Sequence, residues 1–105
     1  MFNFGSKNYD IITIGDTVID AFIRLKEAHV TCKIDKTECE ICMKFGDKIP
    51  FESVDICNAV GNSANAAVSA SRLGLQSAIV TNIGDDQNGK DIIKTFKQEK
   101  VGTEH

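Results

Sequence analysis

Residues 61–65, Gly-Asn-Ser-Ala-Asn, form the segment in which a small-molecule site is most easily built. They precede an alanine- and serine-rich stretch that stops at Gly74, so they are expected to lead into the N-terminus of a helix. Unpaired backbone N–H groups and the helix dipole favour a polar or anionic ligand there, and a glycine lets that ligand approach closely. The turn is a candidate site for hydroxyl groups or phosphate, although Gly-Asn is also ordinary at a helix start.

The cysteines form a second group with possible chemistry. His29, Cys32, Cys39 and Cys42 are spaced His-x2-Cys-x6-Cys-x2-Cys. Two close pairs of ligands are what a tetrahedral structural zinc site (Zn2+) requires, and Cys57 could replace the histidine. Reduced thiols are the alternative to zinc, and a disulfide is not expected because the N-terminus carries no secretory signal.

The elements that would position these groups follow an α/β pattern. The run from Tyr9 to Gly15 is β-branched and nearly continuous in apolar character, which is typical of a strand buried on both faces of a parallel sheet. Strands and helices then alternate in the second half, as expected for parallel neighbours joined by right-handed crossovers. The predicted elements are strands at 9–15, 51–60 and 77–84 and helices at 61–74 and 86–101, the last closed by Gly102.

The region between the first strand and residue 60 has a different texture. Residues 16–25 alternate imperfectly and could form a second extended segment that leaves the first sheet. Residues 26–50 are charged, contain three of the cysteines and have no helical period. This stretch is interpreted as an insertion or lid.

Length and charge narrow the function classes. A chain of 105 residues with 42% hydrophobic and 26% charged residues is expected to form one globular domain of thin stability. The net charge of −3, with no basic face, argues against a nucleic-acid partner. The apolar runs are too short for a signal peptide or a membrane span, so no membrane partner is expected and a cytoplasmic protein is predicted.

The second half of the chain contains two spaced motifs, VGNSANAAVSASRLG and SAIVTNIGDDQNG. Together they resemble the N-terminal signature of the ribokinase-like, or PfkB, family of carbohydrate and nucleoside kinases. They depart from the family at Val60, where the first glycine of a pair is usual, and at Ser63, where a smaller or different residue is usual. They match it at Gly61, Asn65, Gly74, Gly84, Asp85, Asp86 and Gly89.

The resemblance implies a sugar-binding site. Family members carry an aspartate that binds sugar hydroxyls five residues after the glycine of the first strand, and Gly15 is followed at that spacing by Asp20. Asp20, Gly61 and Asn65 are therefore the expected substrate-binding residues. From the residues alone, Asp20 is interpreted as a solvated acid at a strand edge, and an amide bonded to its own backbone is the alternative for Asn65. Asp85 and Asp86 are expected to cap the following helix.

The resemblance also implies the remaining architecture. Residues 1–105 would be the N-terminal, substrate-side part of a three-layer α/β/α ribokinase-like fold, with a small β lid at about residues 20–60 that could pair into a homodimer. ATP, Mg2+ and the catalytic aspartate of a Gly-Ala-Gly-Asp motif belong to a later part of the family sequence, so the chain alone is not expected to transfer phosphate. The alternative hypothesis is a stand-alone, zinc-stabilised module that binds a metabolite or partner without catalysis.

Overall fold

The computed structural model describes residues 7–105, which form six strands and two helices. They divide into two compact units: the first combines the residues up to Asp20 with Cys57–His105, and the second is Ala21–Ile56. The elements are β1 (Ile11–Ile14), β2 (Val18–Leu25), β3 (His29–Cys32), β4 (Cys39–Cys42), β5 (Phe51–Val60), α1 (Asn62–Arg72), β6 (Ser77–Val80) and α2 (Gln87–Gln98).

The first unit is built on a parallel pair. β1 pairs with β6 from Ile11 opposite Ser77 to Ile14 opposite Val80. On the other edge of β6, a parallel bridge joins Ala78 to Gly102. The predicted strands at 9–15 and 77–84 are therefore parallel neighbours, whereas the predicted strand at 51–60 pairs with β2 in a separate sheet. The segment after α2 adds a short third member to the parallel sheet.

One core lies on the side of this sheet that faces the helices. Phe96 is fully buried and Ile79 is 2% exposed, and both belong to a cluster to which α1 contributes Ala64 and Ala67. Alanine is the strongest helix former, and its short side chain lets a helix backbone approach a sheet closely. The small side chains of α1 therefore explain both the helix and its contact with the sheet.

The prediction that β1 is buried on both faces is wrong for the described residues. Thr13 shares a face with Ile79 in the parallel register, and its hydroxyl donates to the Ser63 carbonyl of α1. Ile12 and Ile14 point to the opposite face and are 47% and 78% exposed. A small α/β domain is present, and the third layer of the expected three-layer fold stays a prediction.

The helix ends follow a common backbone motif. After α1, Gly74 has a φ of +94° and donates to the Ser71 carbonyl, while Leu75 donates to Ala70, which confirms the predicted glycine stop. After α2 the left-handed position is Lys100, with a φ of +58°, so the expectation that Gly102 closes this helix is wrong.

The second unit consists of strands. β3 and β4 form an antiparallel hairpin, and β2 pairs with β5, each of which continues into the first unit. The segment predicted as an insertion thus folds as β structure, and its role as a lid stays a prediction. No helix within residues 7–105 has the length and hydropathy to cross a membrane.

Candidate functional site

Gly61 is the N-cap of α1 and adopts a backbone conformation that only glycine tolerates. Its φ is 113° and its ψ is 166°, and no side chain caps the helix. A Cβ atom built on Gly61 would lie 3.0 Å from the carbonyl oxygen of Asp16 and 3.7 Å from Val18. The close approach of the β1–β2 segment therefore requires a glycine at this position. The sequence analysis instead explained the glycine by the close approach of a ligand.

Ser63 fastens the two segments together. Its hydroxyl donates to the Asp16 carbonyl at 2.8 Å, and its own carbonyl accepts from the Thr13 hydroxyl at 2.9 Å. A Cβ atom on Gly15 would lie 3.2 Å from the Ser63 side chain. Sequence reasoning noted Ser63 only as a departure from the family pattern. The one sequence signal for this role was the position of Ser63 in the first turn of α1, where a hydroxyl can bond to a neighbouring loop.

Asp20 lies on β2, close in sequence to the segment that contacts Gly61. Its neighbour Ile19 packs against the core, whereas Asp20 is exposed. Because side chains alternate along a strand, the carboxylate is directed away from the core that holds Ile19. An exposed carboxylate can accept hydrogen bonds from ligand hydroxyls.

Asn65 lies one turn into α1, where its backbone N–H donates to the Gly61 carbonyl at 2.8 Å. Its exposed side chain lines an open cavity of about 380 Å³ between the end of β5, α1 and the C-terminal end of α2. Asp20 does not line this cavity. The structure therefore brings Gly61 to the segment before Asp20, but it does not place the Asp20 and Asn65 side chains together in this cavity. The other lining residues are Cys57, Asn58, Ala59, Val60, Val68, Ser69, Arg72, Thr95 and Glu99.

A paired charge closes one end of the cavity. The Arg72 guanidinium donates two hydrogen bonds to the Glu99 carboxylate, at 2.9 and 2.6 Å. The same bonds lower the pKa of Glu99 and raise that of Arg72. Because these two charges satisfy each other and the Thr95 hydroxyl donates to the Asp91 carbonyl, the remaining polar side chains of the cavity are two amides, the Ser69 hydroxyl and a thiol. These groups suit a neutral hydroxylated ligand better than an ion.

The Gly84–Gly89 turn is a structural motif that begins α2. Asp86 is the N-cap, and its carboxylate accepts from the Gly89 N–H at 2.8 Å, which confirms the predicted capping role for Asp86. A Cβ atom on Gly89 would lie 1.9 Å from the Gly84 carbonyl oxygen. Gly89 therefore permits the close contact on which the turn depends.

The predicted zinc ligands do not come together. Cys32 and Cys39 are joined by a disulfide, and His29 lies opposite Cys42 in the register of β3 and β4. The two pairs are three residues apart on each strand, so they project from opposite faces of the hairpin. No group of three or more His, Cys, Asp or Glu side chains within residues 7–105 could hold a metal ion, and the zinc site is therefore not supported.

The matched motifs coincide with this geometry. Residues 55–105, which contain the Gly61 turn, α1 and the Gly84–Gly89 turn, match the sequence profile described as "pfkB family carbohydrate kinase". Over these residues the chain matches the pfkB family of carbohydrate kinases. The resemblance inferred from the two motifs is thus confirmed.

Curated relatives extend the match and limit what it covers. The chain is 27% identical over 107 residues to an ATP-dependent 6-phosphofructokinase of Thermoanaerobacterium thermosaccharolyticum, which covers 96% of the chain and 27% of that protein. It is 46% identical over 44 residues to a ribokinase of Mus musculus, and 43% identical over 44 residues to a 5-dehydro-2-deoxygluconokinase of Bacillus thuringiensis. Each shorter match covers 42% of the chain and 14% or 13% of the relative. No solved structure matches it significantly.

The pfkB assignment therefore applies to a chain that spans about a quarter of the 6-phosphofructokinase it resembles. The long match to that enzyme reaches across the β unit of residues 21–56, of which the family profile includes only residues 55 and 56. The profile contains both the Gly61 and the Gly84 turns.

Proposed function

We propose that this pfkB chain supplies the sugar-binding side of an ATP-dependent kinase that phosphorylates a hydroxyl group of a sugar or nucleoside. The observation that supports the proposal most directly is the contact between the Gly61 turn and the Asp16–Val18 segment. This contact joins Gly61, a matched family position, to a stretch more than forty residues earlier in the sequence, which lies between Gly15 and Asp20. It brings the start of β2, two residues before Asp20, against the uncapped N-terminus of α1.

In the proposed complex, Asp20 accepts hydrogen bonds from substrate hydroxyls. The backbone at Gly61 offers N–H groups that no side chain caps, and the Asn65 amide supplies one donor and one acceptor. Kinases named for sugars and sugar derivatives among the relatives support a polyol as the ligand class.

In this proposal, ATP binding and proton removal belong to residues other than Asp20, Gly61 and Asn65. In the proposed enzyme, ATP and Mg2+ bind with a downstream aspartate that takes the proton as the hydroxyl attacks the γ-phosphoryl group. Residues 21–56 act as the lid, which could also pair two copies of the chain. The proposed location is the cytoplasm, and neither nucleic acid nor a membrane is a proposed partner.

The test is a titration of the isotopically labelled chain with D-ribose and with fructose 6-phosphate, followed by amide chemical shifts. Saturable shifts are expected at Asp20, Gly61 and Asn65. Because a hydrogen bond to a charged group contributes about 1.5–3 kcal/mol, Asp20→Ala should weaken binding by roughly 10-fold or more. Asp85→Ala is the matched control, since it removes an exposed carboxylate of the same unit from the β6–α2 turn.

Two results would contradict the proposal. One is a set of shifts that avoids the three residues while following another surface of the first unit. The other is an equal loss of affinity in Asp20→Ala and Asp85→Ala, which would show that the effect of the carboxylate is general charge and not contact with the ligand.

A further inference from the structure

The β3–β4 hairpin has almost nothing to hold it except its own backbone pairing and one covalent bond. Every residue of both strands is exposed, including Val30 at 68% and Ile41 at 59%. An isolated two-stranded hairpin of this kind is marginally stable in water. Burial of apolar surface therefore cannot account for its order.

The loop that joins the strands adds only exposed polar contacts. Lys33 N–H donates to the Glu38 carbonyl at 2.9 Å, and the Lys33 and Glu38 side chains form an ion pair that is about two-thirds exposed. Thr37 donates two hydrogen bonds to the Asp35 carboxylate, which lower the pKa of that group. Exposed ion pairs and hydrogen bonds compete with water and contribute little net stability.

The Cys32–Cys39 disulfide closes this loop at the first strand pair beyond it. The two residues are directly opposite in the register, and both are exposed, so a small thiol has access to the sulfur atoms. Cys42 lies on the opposite face of the hairpin, so its thiol is not placed to exchange with the bond. Exposed disulfides are the labile kind that thiols reduce.

We propose that the Cys32–Cys39 bond is a redox-controlled clamp: when it is formed the hairpin is ordered, and when a small thiol reduces it the two strands separate readily. In the reduction, a thiolate attacks one sulfur to form a mixed disulfide, and a second thiol releases it. Two cysteine thiols form, and the two small thiols leave as their disulfide, so two electrons and two protons reach the protein. A small disulfide, such as oxidised glutathione, reverses the step. The clamp is a property of the hairpin and does not depend on the proposed kinase function.

Amide hydrogen exchange of the whole chain tests the clamp, in buffers dominated by oxidised or by reduced glutathione. The disulfide lowers the entropy of the open hairpin, so its reduction makes opening more favourable. For a loop of this length, amide exchange in β3 and β4 should accelerate by roughly 50-fold on reduction. Amides around Ile79 and Phe96 should exchange at the same rate in both buffers, because they belong to the core of the other unit.

Matched serine variants separate the clamp from general thiol effects. The Cys32→Ser/Cys39→Ser variant should exchange in both buffers as the reduced wild type does, whereas the Cys42→Ser/Cys57→Ser variant should keep the full response. The proposal is overturned if peptide mass spectrometry finds Cys32 and Cys39 unlinked in the oxidising buffer. It is equally overturned if the bond forms but its reduction leaves exchange in the hairpin unchanged.

Discussion

Replacement of Gly89 by alanine should destabilise the first unit, against the direction that helix propensity predicts. Gly89 lies in the first turn of α2 and is buried. In an open helix interior, alanine is favoured over glycine by about 1 kcal/mol. At this position the new methyl group would instead meet the Gly84 carbonyl oxygen at 1.9 Å, far inside contact distance.

The size of the effect follows from what must move. The obstacle is backbone and not the end of a flexible side chain, so α2 and the Gly84 turn must separate. Overpacking of this kind costs about 1–3 kcal/mol. Movement of Gly89 also weakens its hydrogen bond with Asp86, and loss of such a cap costs about 1 kcal/mol. After subtraction of the propensity gain, the net loss should be about 2 kcal/mol, or a fall in Tm of about 10 °C.

Urea and thermal unfolding followed by circular dichroism measure this loss. Asn88→Ala is the matched control, because Asn88 is the adjacent residue of the same helix turn and is exposed. The control should be neutral or slightly more stable. If Gly89→Ala is as stable as Asn88→Ala, the close contact between Gly84 and Gly89 does not exist in solution and the structural reason for this matched glycine is wrong.

Two further predictions concern single side chains. Asp86→Ala should lower the free energy of unfolding by about 1 kcal/mol, whereas Asp86→Asn should retain most of it because asparagine caps as well, and urea unfolding compares the two. Lys7 and Tyr9 donate to the Glu104 carboxylate and lower its pKa from 4.5 to about 2, so the stabilisation is complete above pH 4.5 and is lost as the pH falls towards 2. The hydrogen bond from Tyr9 to Glu104 raises the pKa of Tyr9 above its usual value of 10. The chain has a single tyrosine, so its ultraviolet absorbance should show the pKa return towards 10 in Glu104→Gln. An unchanged titration would exclude the contact.

The local patterns that sequence reasoning interpreted correctly are those set by neighbouring residues. The stop at Gly74 needs only a residue that tolerates a left-handed conformation, and the cap at Asp86 needs only a carboxylate before the first turn. Both requirements are visible in a few letters of sequence. The nearly continuous apolar run of β1 likewise identified a strand, but the burial of that strand depends on what covers each face, which the run does not encode.

The cysteines show why spacing alone misled. Two close pairs of ligands satisfy the arithmetic of a zinc site, but the arithmetic ignores the period of a strand. Once residues 29–32 and 39–42 form a hairpin, His29 lies opposite Cys42 and Cys32 lies opposite Cys39. These two cross-strand pairs project from opposite faces of the hairpin. Zinc would have required a turn or a helix within one of the pairs, and the β-branched residues between the ligands, Val30 and Thr31, favour a strand.

The departure at Val60 bears on the candidate site in a specific way. In the resemblance, Val60 replaces the first glycine of a pair, which raises the question of whether the turn can form without it. Positive φ values in this segment occur at Ala59, with 57°, and at Gly61, with 113°, but not at Val60. Valine is therefore accommodated without a backbone penalty, and the strain of about 1–2 kcal/mol for a left-handed residue falls on Ala59. Val60 lines the cavity that contains Asn65, so its side chain occupies space that a glycine would leave to a ligand. The replacement changes what the cavity admits and leaves the geometry of the Gly61 turn intact.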